Sequence, residues 1–106
     1  MNARLITRSE DDHRVYEKRD PVLWTFTPKG ILLHNFEQRR YVELDAVEQD
    51  AWSLFDGAHT LGDAIEYCLV RHASADLGRA IVVRRVRSIA TTLLTFGFIA
   101  EKTSCV

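Results

Sequence analysis

Residues Gly30 to Gly57 read GILLHNFEQRRYVELDAVEQDAWSLFDG, and this stretch predicts two strands that lead directly into a helix. The first strand covers Ile31 to Phe36, and the second covers Arg40 to Leu44, along which apolar and polar side chains alternate. Glu37 to Arg39 between them has the polar character of a hairpin loop. The stretch therefore predicts a sheet edge that is joined to a helix without a long connection.

The helix has a start signal in the sequence. Asp45 followed by Glu48 has the spacing of a capping box, in which each side chain accepts a hydrogen bond from an otherwise unpaired backbone N–H. We therefore expect the helix to begin near Ala46, with Trp52 among its apolar positions. Asp56-Gly57 provides a left-handed exit for the chain.

A third strand is predicted upstream of this stretch. Val22, Trp24 and Phe26 alternate with Leu23 and Thr25, which predicts a strand with one well-buried face. A turn at residues 28–30 would bring this strand beside the next one. Three consecutive strands indicate a small antiparallel meander.

Two more helices are predicted downstream. Thr60 and Asp63 repeat the capping pattern for a second helix. A third and longest helix starts at Asp76 or near Gly78 and runs to about Phe96, and the segment after it either forms a short strand or simply packs. The apolar positions of the third helix form a core stripe of Val82, Val86, Ile89, Leu93 and Phe96, and a thinner stripe of Val83, Ala90 and Leu94. We predict an α+β fold, winged helix-turn-helix-like, with a three-stranded antiparallel sheet followed by three helices.

The bulk composition is that of one globular domain. The chain has 106 residues, 46% of them hydrophobic, and a net charge of -1, which gives no general attraction to nucleic acid or anionic membrane. Residues 1–20 are rich in charge and are predicted to be a mobile arm, although a short helix or added strand anchored by Val15 and Tyr16 is an alternative. Residues 102–106 are predicted to be a tail. No apolar run approaches the length of a membrane span and no signal core is visible, so we predict a cytoplasmic protein without a membrane partner.

No catalytic or metal site is predicted. His13, His34, His59 and His72 lie in four separate segments, and none has metal-ligand spacing to another histidine, cysteine or acid. Cys68 and Cys105 form no motif, so we expect Cys68 to be a buried apolar residue and Cys105 a free thiol on the tail. We predict that the chain is not an enzyme and binds no cofactor.

The third helix carries a basic cluster of Arg79, Arg84, Arg85 and Arg87. It is either an ordinary solvated face or a site for an acidic or amphipathic peptide beside an apolar strip. A winged-helix DNA-binding regulator is the alternative function, but the second helix has only Arg71 against Asp63 and Glu66, which disfavours nucleic acid. A dimer through the exposed edge strand is a third hypothesis.

The order and spacing of several short motifs carry a family resemblance. The motifs are Leu32 to Asn35, Tyr41 to Asp45, Trp52, Leu54 to Thr60, and Leu93 to Ile99 in the last helix. Together they resemble the PqqD family of peptide chaperones, named for pyrroloquinoline quinone biosynthesis protein D and also called RiPP recognition elements. The resemblance covers about Val22 to Glu101 and identifies residues 21–101 as a PqqD-like peptide-binding domain.

The resemblance implies a function in natural product biosynthesis. Family members bind the leader segment of a ribosomally synthesised precursor peptide and deliver it to a modifying enzyme, often a radical SAM protein whose iron–sulfur cluster is its own. They hold the leader as an added strand between the third strand and the third helix. Transferred to this chain, the peptide-binding residues would be Arg40, Tyr41, Val42, Glu43 and Leu44 on one wall and Val83, Arg84, Arg87, Ala90, Thr91 and Leu94 on the other. The resemblance does not specify quinone cofactor synthesis.

Overall fold

The computed structural model describes residues 10–19 and 22–102, in which four consecutive strands are followed by three helices and two further short strands. A 3-10 helix at Glu10–His13 comes first. It is followed by β1 (Val15–Lys18), β2 (Val22–Phe26), β3 (Ile31–Asn35), β4 (Arg40–Leu44), α1 (Ala46–Ser53), β5 (Asp56–Thr60), α2 (Leu61–His72), α3 (Arg79–Thr95) and β6 (Ile99–Glu101). The predicted α+β class is confirmed, but the strands form two sheets, each of three antiparallel strands.

The meander is confirmed as the sheet β2–β3–β4, with β3 in the middle. A tight turn joins its first two strands, because Thr27 and Gly30 exchange backbone hydrogen bonds of 2.9 and 3.2 Å. Gly30 is required there, since a Cβ at this position would lie 2.3 Å from the carbonyl oxygen of Leu44. The turn and the β4–α1 junction therefore pack directly against each other.

The predicted burial of β2 is wrong. Trp24 and Phe26 do lie on the inner face, where they pair with Leu33 and Ile31 of β3. Nevertheless, Trp24 is 52% and Phe26 73% exposed, whereas both of their β3 partners are buried. Alternation identifies the face of a strand, but β2 is the outer strand of the meander and the helices do not cover it.

The second sheet has the order β5–β1–β6, so Val15–Lys18 forms a central strand rather than part of a mobile arm. The alternative of an added strand anchored by Tyr16 is the arrangement found, because Tyr16 is buried and its ring meets that of Phe55 edge-on at 5.7 Å. Val15 is only half-buried. The first nine residues of the predicted arm and Cys105 of the predicted tail lie outside the described residues.

Both predicted capping boxes are present. Asp45 caps α1 together with Glu48, and Thr60 caps α2 together with Asp63. Helix α1 ends at Ser53, and Gly57, with a φ of 82°, lies within β5 instead of closing the helix. Sequence analysis missed β5 because the segment DGAHT has no apolar alternation.

The helices pack together and cover β3 and the inner side of β4. Cys68 of α2 contacts the carbonyl oxygen of Val47 in α1 through its thiol, at 3.5 Å. The core stripe of α3 is confirmed, except that Phe96 is only half-buried, and Gly97 follows the helix with a φ of 81°. In the described part of the chain, no helix is long and apolar enough to cross a membrane.

We predict that Tyr16→Ala destabilises the protein by about 3 kcal/mol, because a buried aromatic side chain is lost from the middle of the second sheet. Tyr67→Ala is the matched control, since Tyr67 is 38% exposed, and its cost should stay near or below about 1 kcal/mol. Chemical denaturation measures both. Equal costs for the two variants would contradict a structural role of β1.

Candidate functional site

Among the described residues no strand pairs with the outer edge of β4, so this free edge presents unpaired backbone groups. The hydrogen-bonded pair Thr27 and Gly30 sets the phase of the meander, since bonded and non-bonded pairs alternate along antiparallel strands. Following that phase, Val42 hydrogen-bonds to β3, whereas the N–H and C=O groups of Tyr41 and Glu43 point away from the sheet. An added strand would pair with these two residues.

Helix α3 lies beside β4 and contacts it at both ends. At the start of the strand, the Arg40 guanidinium lies 4.5 Å from the centre of the Phe96 ring. Just past its end, Arg85 Nη1 lies 2.6 Å from Asp45 Oδ2. Arg40 and Asp45 are five residues apart along the strand, and Arg85 and Phe96 are eleven residues apart along the helix. Each of these separations corresponds to about 17 Å. We call the space between the free edge of β4 and α3, bounded by these two contacts, the β4–α3 cleft.

The predicted helix wall of the site is not the face that meets β4. Arg85 and Phe96 mark the face toward β4, whereas Arg87 lies about 200° around the helix axis from Arg85. Arg87 instead pairs with the buried Asp12 of the 3-10 helix, with Nη1 3.0 Å from Oδ1. Residues that share the side of Arg87 are Val83, Ala90 and Leu94. The structure therefore does not bring this stripe together with β4, and Arg87 on the same side of the helix pairs with Asp12 instead.

Arg84 and Thr91 lie between these two faces, on the exposed side of α3. Within the described residues, Arg84 forms no ion pair, unlike Arg85 and Arg87. Helix α3 has no acidic residue, so its N-terminal half is a strongly positive surface next to the cleft.

The predicted residues of β4 differ in what they can contribute. Leu44 is fully buried and belongs to the core, so it cannot offer its side chain to a ligand. Val42 is half-buried on the inner face and Arg40 is exposed. Tyr41 is 62% exposed on the outer face and stacks on His34 with ring centres 4.1 Å apart. Tyr41 is therefore held by a neighbouring ring while its edge remains accessible.

The residues that sequence analysis missed are Arg85 and Phe96 as the helix side of the cleft. Arg85 belonged to the noted basic cluster, and Phe96 was assigned to the core stripe. Asp45 offered a signal, because a cap aspartate uses one oxygen for the helix N–H and leaves the other for a cation. That signal does not identify which arginine of the cluster will reach it.

Glu48 completes the electrostatics of this junction. Partial burial raises the pKa of Glu48, and the hydrogen bond that it accepts from the Asp45 N–H acts in the opposite direction. Arg85 nearby also favours its charged form. The β4–α1 junction thus concentrates two acids beside one arginine.

The described residues hold no arrangement for catalysis that competes with this cleft. Nδ1 of His59 lies 2.9 Å from an oxygen of Asp56 on the surface, and Nε2 of His72 lies 2.6 Å from an oxygen of Asp50 in a half-buried pair, but neither pair includes a nucleophile. No group of three histidine, cysteine or acidic side chains within residues 10–19 and 22–102 could hold a metal ion.

The arginine of α2 is not available for reading nucleic acid. Arg71 Nε lies 2.8 Å from Asp50 Oδ2, and its guanidinium covers the ring of Tyr67 at 5.4 Å. A helix that reads DNA needs cations directed at phosphates and bases. This pairing of Arg71 therefore disfavours the DNA alternative.

Comparison with solved structures identifies proteins of similar fold. The chain superposes on TbiB1 in complex with the TbiA(beta) leader peptide with a TM-score of 0.64 and 18% identity, over 83% of this chain and 99% of that one. It superposes on lasso peptide synthetase B1 complexed with the leader peptide with a TM-score of 0.62 and 17% identity, over 79% and 95% of the two chains. No protein-family model and no curated protein matches the sequence. The predicted resemblance is confirmed at the level of the fold.

We predict that Cys68 is inert toward thiol reagents in the folded protein. Burial raises the pKa of its thiol to about 11, so little thiolate exists near pH 8. In a Cys105→Ser background, Ellman's reagent should leave the native protein unmodified and should react at once in denaturant. Rapid modification of the native protein would contradict the burial of this side chain.

Proposed function

We propose that this chain is a non-catalytic peptide chaperone that binds the leader segment of a ribosomally synthesised precursor peptide and presents it to a modifying enzyme. The observation that carries the proposal is the free edge of β4 beside α3. Two solved structures with the same fold are complexes with leader peptides. We place the encounter in the cytoplasm, where precursor peptides are translated.

The leader adds to the meander as a fourth strand. Its backbone hydrogen-bonds to Tyr41 and Glu43, which supplies affinity that depends little on leader sequence. Every second side chain of the leader then points into the β4–α3 cleft, beside Val42 and toward the face of α3 that carries Arg85. Selectivity for particular leader residues arises at these alternate positions.

Charge orients the peptide along this edge. Arg84 and Arg79 are exposed cations that form no ion pair with a described residue, and the amino end of α3 adds its own positive potential. An acidic leader segment is therefore favoured near the Asp45 end of the cleft. The overall charge of -1 leaves this attraction local to the site.

The modifying enzyme is the second partner. The sequence resemblance favours a radical SAM maturase, whereas one fold neighbour is a lasso peptide synthetase component. Co-purification with each enzyme encoded near this chain, with and without the encoded precursor peptide, distinguishes the two classes. Retention of an enzyme only in the presence of precursor would support the presenting role.

We predict that backbone amide resonances of Tyr41 and Glu43 shift when a synthetic leader, taken from a short reading frame encoded nearby, is titrated into the protein. Direct hydrogen bonding to an added strand shifts the resonances of these two amides more than that of the Val42 amide, which already bonds to β3. Heteronuclear NMR measures the shifts. Saturable binding that leaves both amides unchanged would exclude β4 as the binding edge.

We predict that Tyr41→Pro weakens the same leader by at least about tenfold relative to Tyr41→Ala. Both variants lose the aromatic ring, but only proline removes the outward N–H, and that N–H is not needed for the β3–β4 ladder. A tenfold change corresponds to ~1.4 kcal/mol, as expected for one backbone hydrogen bond. Calorimetry measures both, and equal affinities would argue against strand addition.

We predict that Arg84→Glu weakens an acidic leader about three- to tenfold at low salt, and less at high salt, because Arg84 is exposed and its charge is screened. Lys102→Glu is the matched control, since it makes the same charge change at an exposed lysine that directly follows β6 of the second sheet. Affinity should fall only with Arg84→Glu. A similar loss in both variants would show a response to net charge rather than a local site.

A further inference from the structure

The meander has a second edge, at β2, that pairs with no strand within residues 10–19 and 22–102, and its chemistry differs from that of β4. The segment Val22–Phe26 reads VLWTF and has no charged residue, proline or glycine. Natural edge strands are commonly protected by charges, prolines or bulges that oppose pairing with another chain. This edge lacks those features, whereas β4 carries Arg40 and Glu43.

Large apolar side chains are exposed along β2. Leu23 is 54%, Trp24 52% and Phe26 73% exposed. Trp24 and Phe26 hold each other in an edge-to-face contact at 5.2 Å with an interplanar angle of 83°, so their orientation is fixed before any partner arrives. A preformed apolar surface of this kind costs little conformational entropy when it is covered.

A cavity of about 190 Å³ adjoins these rings. It is lined by Trp24, Phe26 and Ile31 of the meander and by Gln49, Trp52 and Ser53 of α1. Trp52 is buried, and its indole N–H has no hydrogen-bond partner among the described residues. Packing between β2 and α1 is therefore incomplete, in contrast to the closed core around β3.

The hydrogen-bonding phase of β2 permits pairing with its own copy. Thr25 and Leu23 bond to β3, so the backbone groups of Val22, Trp24 and Phe26 point outward. In an antiparallel pair centred on Trp24, Trp24 faces itself and Val22 faces Phe26 of the second copy. Each outward residue then meets another outward residue, and the two-fold axis makes the interface self-complementary.

We propose that a second copy of this chain is the occupant of the β2 edge, and that the two meanders form a continuous six-stranded sheet. Absence of charge on β2 removes like-charge repulsion between copies and also removes the means of selecting a charged foreign partner. In this sheet, Trp24 and Phe26 of the second copy extend the inner face of the meander next to the cavity beside α1. The two β4 edges remain free at the far ends of the sheet. This dimer does not rest on the proposed peptide binding, and its failure would leave that proposal intact.

Sedimentation equilibrium over concentrations up to about 1 mM tests the dimer. The wild-type chain should dimerise, and Phe26→Lys should weaken the dimer by at least about tenfold, since it places two lysines in the interface. Phe36→Lys is the matched control, because Phe36 is 52% exposed in the hairpin loop at the other end of β3. A monomer at every concentration, an unaffected Phe26→Lys dimer or an equal loss in Phe36→Lys overturns the proposal.

Disulfide trapping tests the register while both aromatic rings remain. Leu23 of one copy should face Thr25 of the other as a non-hydrogen-bonded pair, about 4.5 Å apart at Cα, which a disulfide can span. In a Cys105→Ser background, a mixture of Leu23→Cys and Thr25→Cys chains should give the mixed dimer upon oxidation. A mixture of Leu23→Cys with Phe36→Cys should not. Cross-linking of Leu23→Cys alone at the same yield would overturn the proposed register.

Discussion

Asp45 is the residue on which the geometry of this protein depends. Its Oδ1 accepts the Glu48 N–H at 2.9 Å, its own N–H is bonded to Glu48 Oε1 at 2.9 Å, and its Oδ2 holds Arg85 at 2.6 Å. This residue thereby ends a strand, begins a helix and links α3 to that junction through a partly exposed ion pair. Because Gly30 lies against the same junction, the first turn of the meander is located by it as well.

The consequence for the cleft is a defined pairing of charges at its Asp45 end. Arg85 is committed to Asp45, so it shapes the cleft more than it attracts a ligand, whereas Arg84 one residue earlier stays exposed. Neighbouring arginines with the same chemistry thus have different roles, set by which one the cap aspartate reaches. At the other end of the cleft, Arg40 contacts the Phe96 ring through a cation–π interaction.

Much of the fold could be predicted because its signals are local. The capping boxes at Asp45 and Thr60 involve residues three apart, and the stripe of α3 repeats over a single helix. By contrast, β1 and β5 pair with strands far away in sequence, and each lacks an apolar alternation of its own. Trp24 was misplaced for a related reason: alternation gives the face of a strand, but only the tertiary arrangement shows which strand is outermost.

The site was predicted unevenly for the same physical reason. The free edge of β4 follows from the order of strands in a meander, which the sequence shows. The rotation of α3 about its own axis follows from packing, and the sequence analysis assigned the thinner stripe of Val83, Ala90 and Leu94 to the cleft and the stripe that ends in Phe96 to the core. The Arg87–Asp12 pair, 75 residues apart, decides between them.

The central position of β1 in its sheet also determines how the domain can be cut or joined. A module begun at residue 21 would include every part of the β4–α3 cleft, yet it would leave β5 and β6 without the strand that both of them pair with. Tyr16 would be missing from its contact with Phe55, and a groove would open across the hydrophobic interior. As a portable unit for fusion to another protein, the domain therefore has to start before Val15, with the joint placed on the amino side of the 3-10 helix.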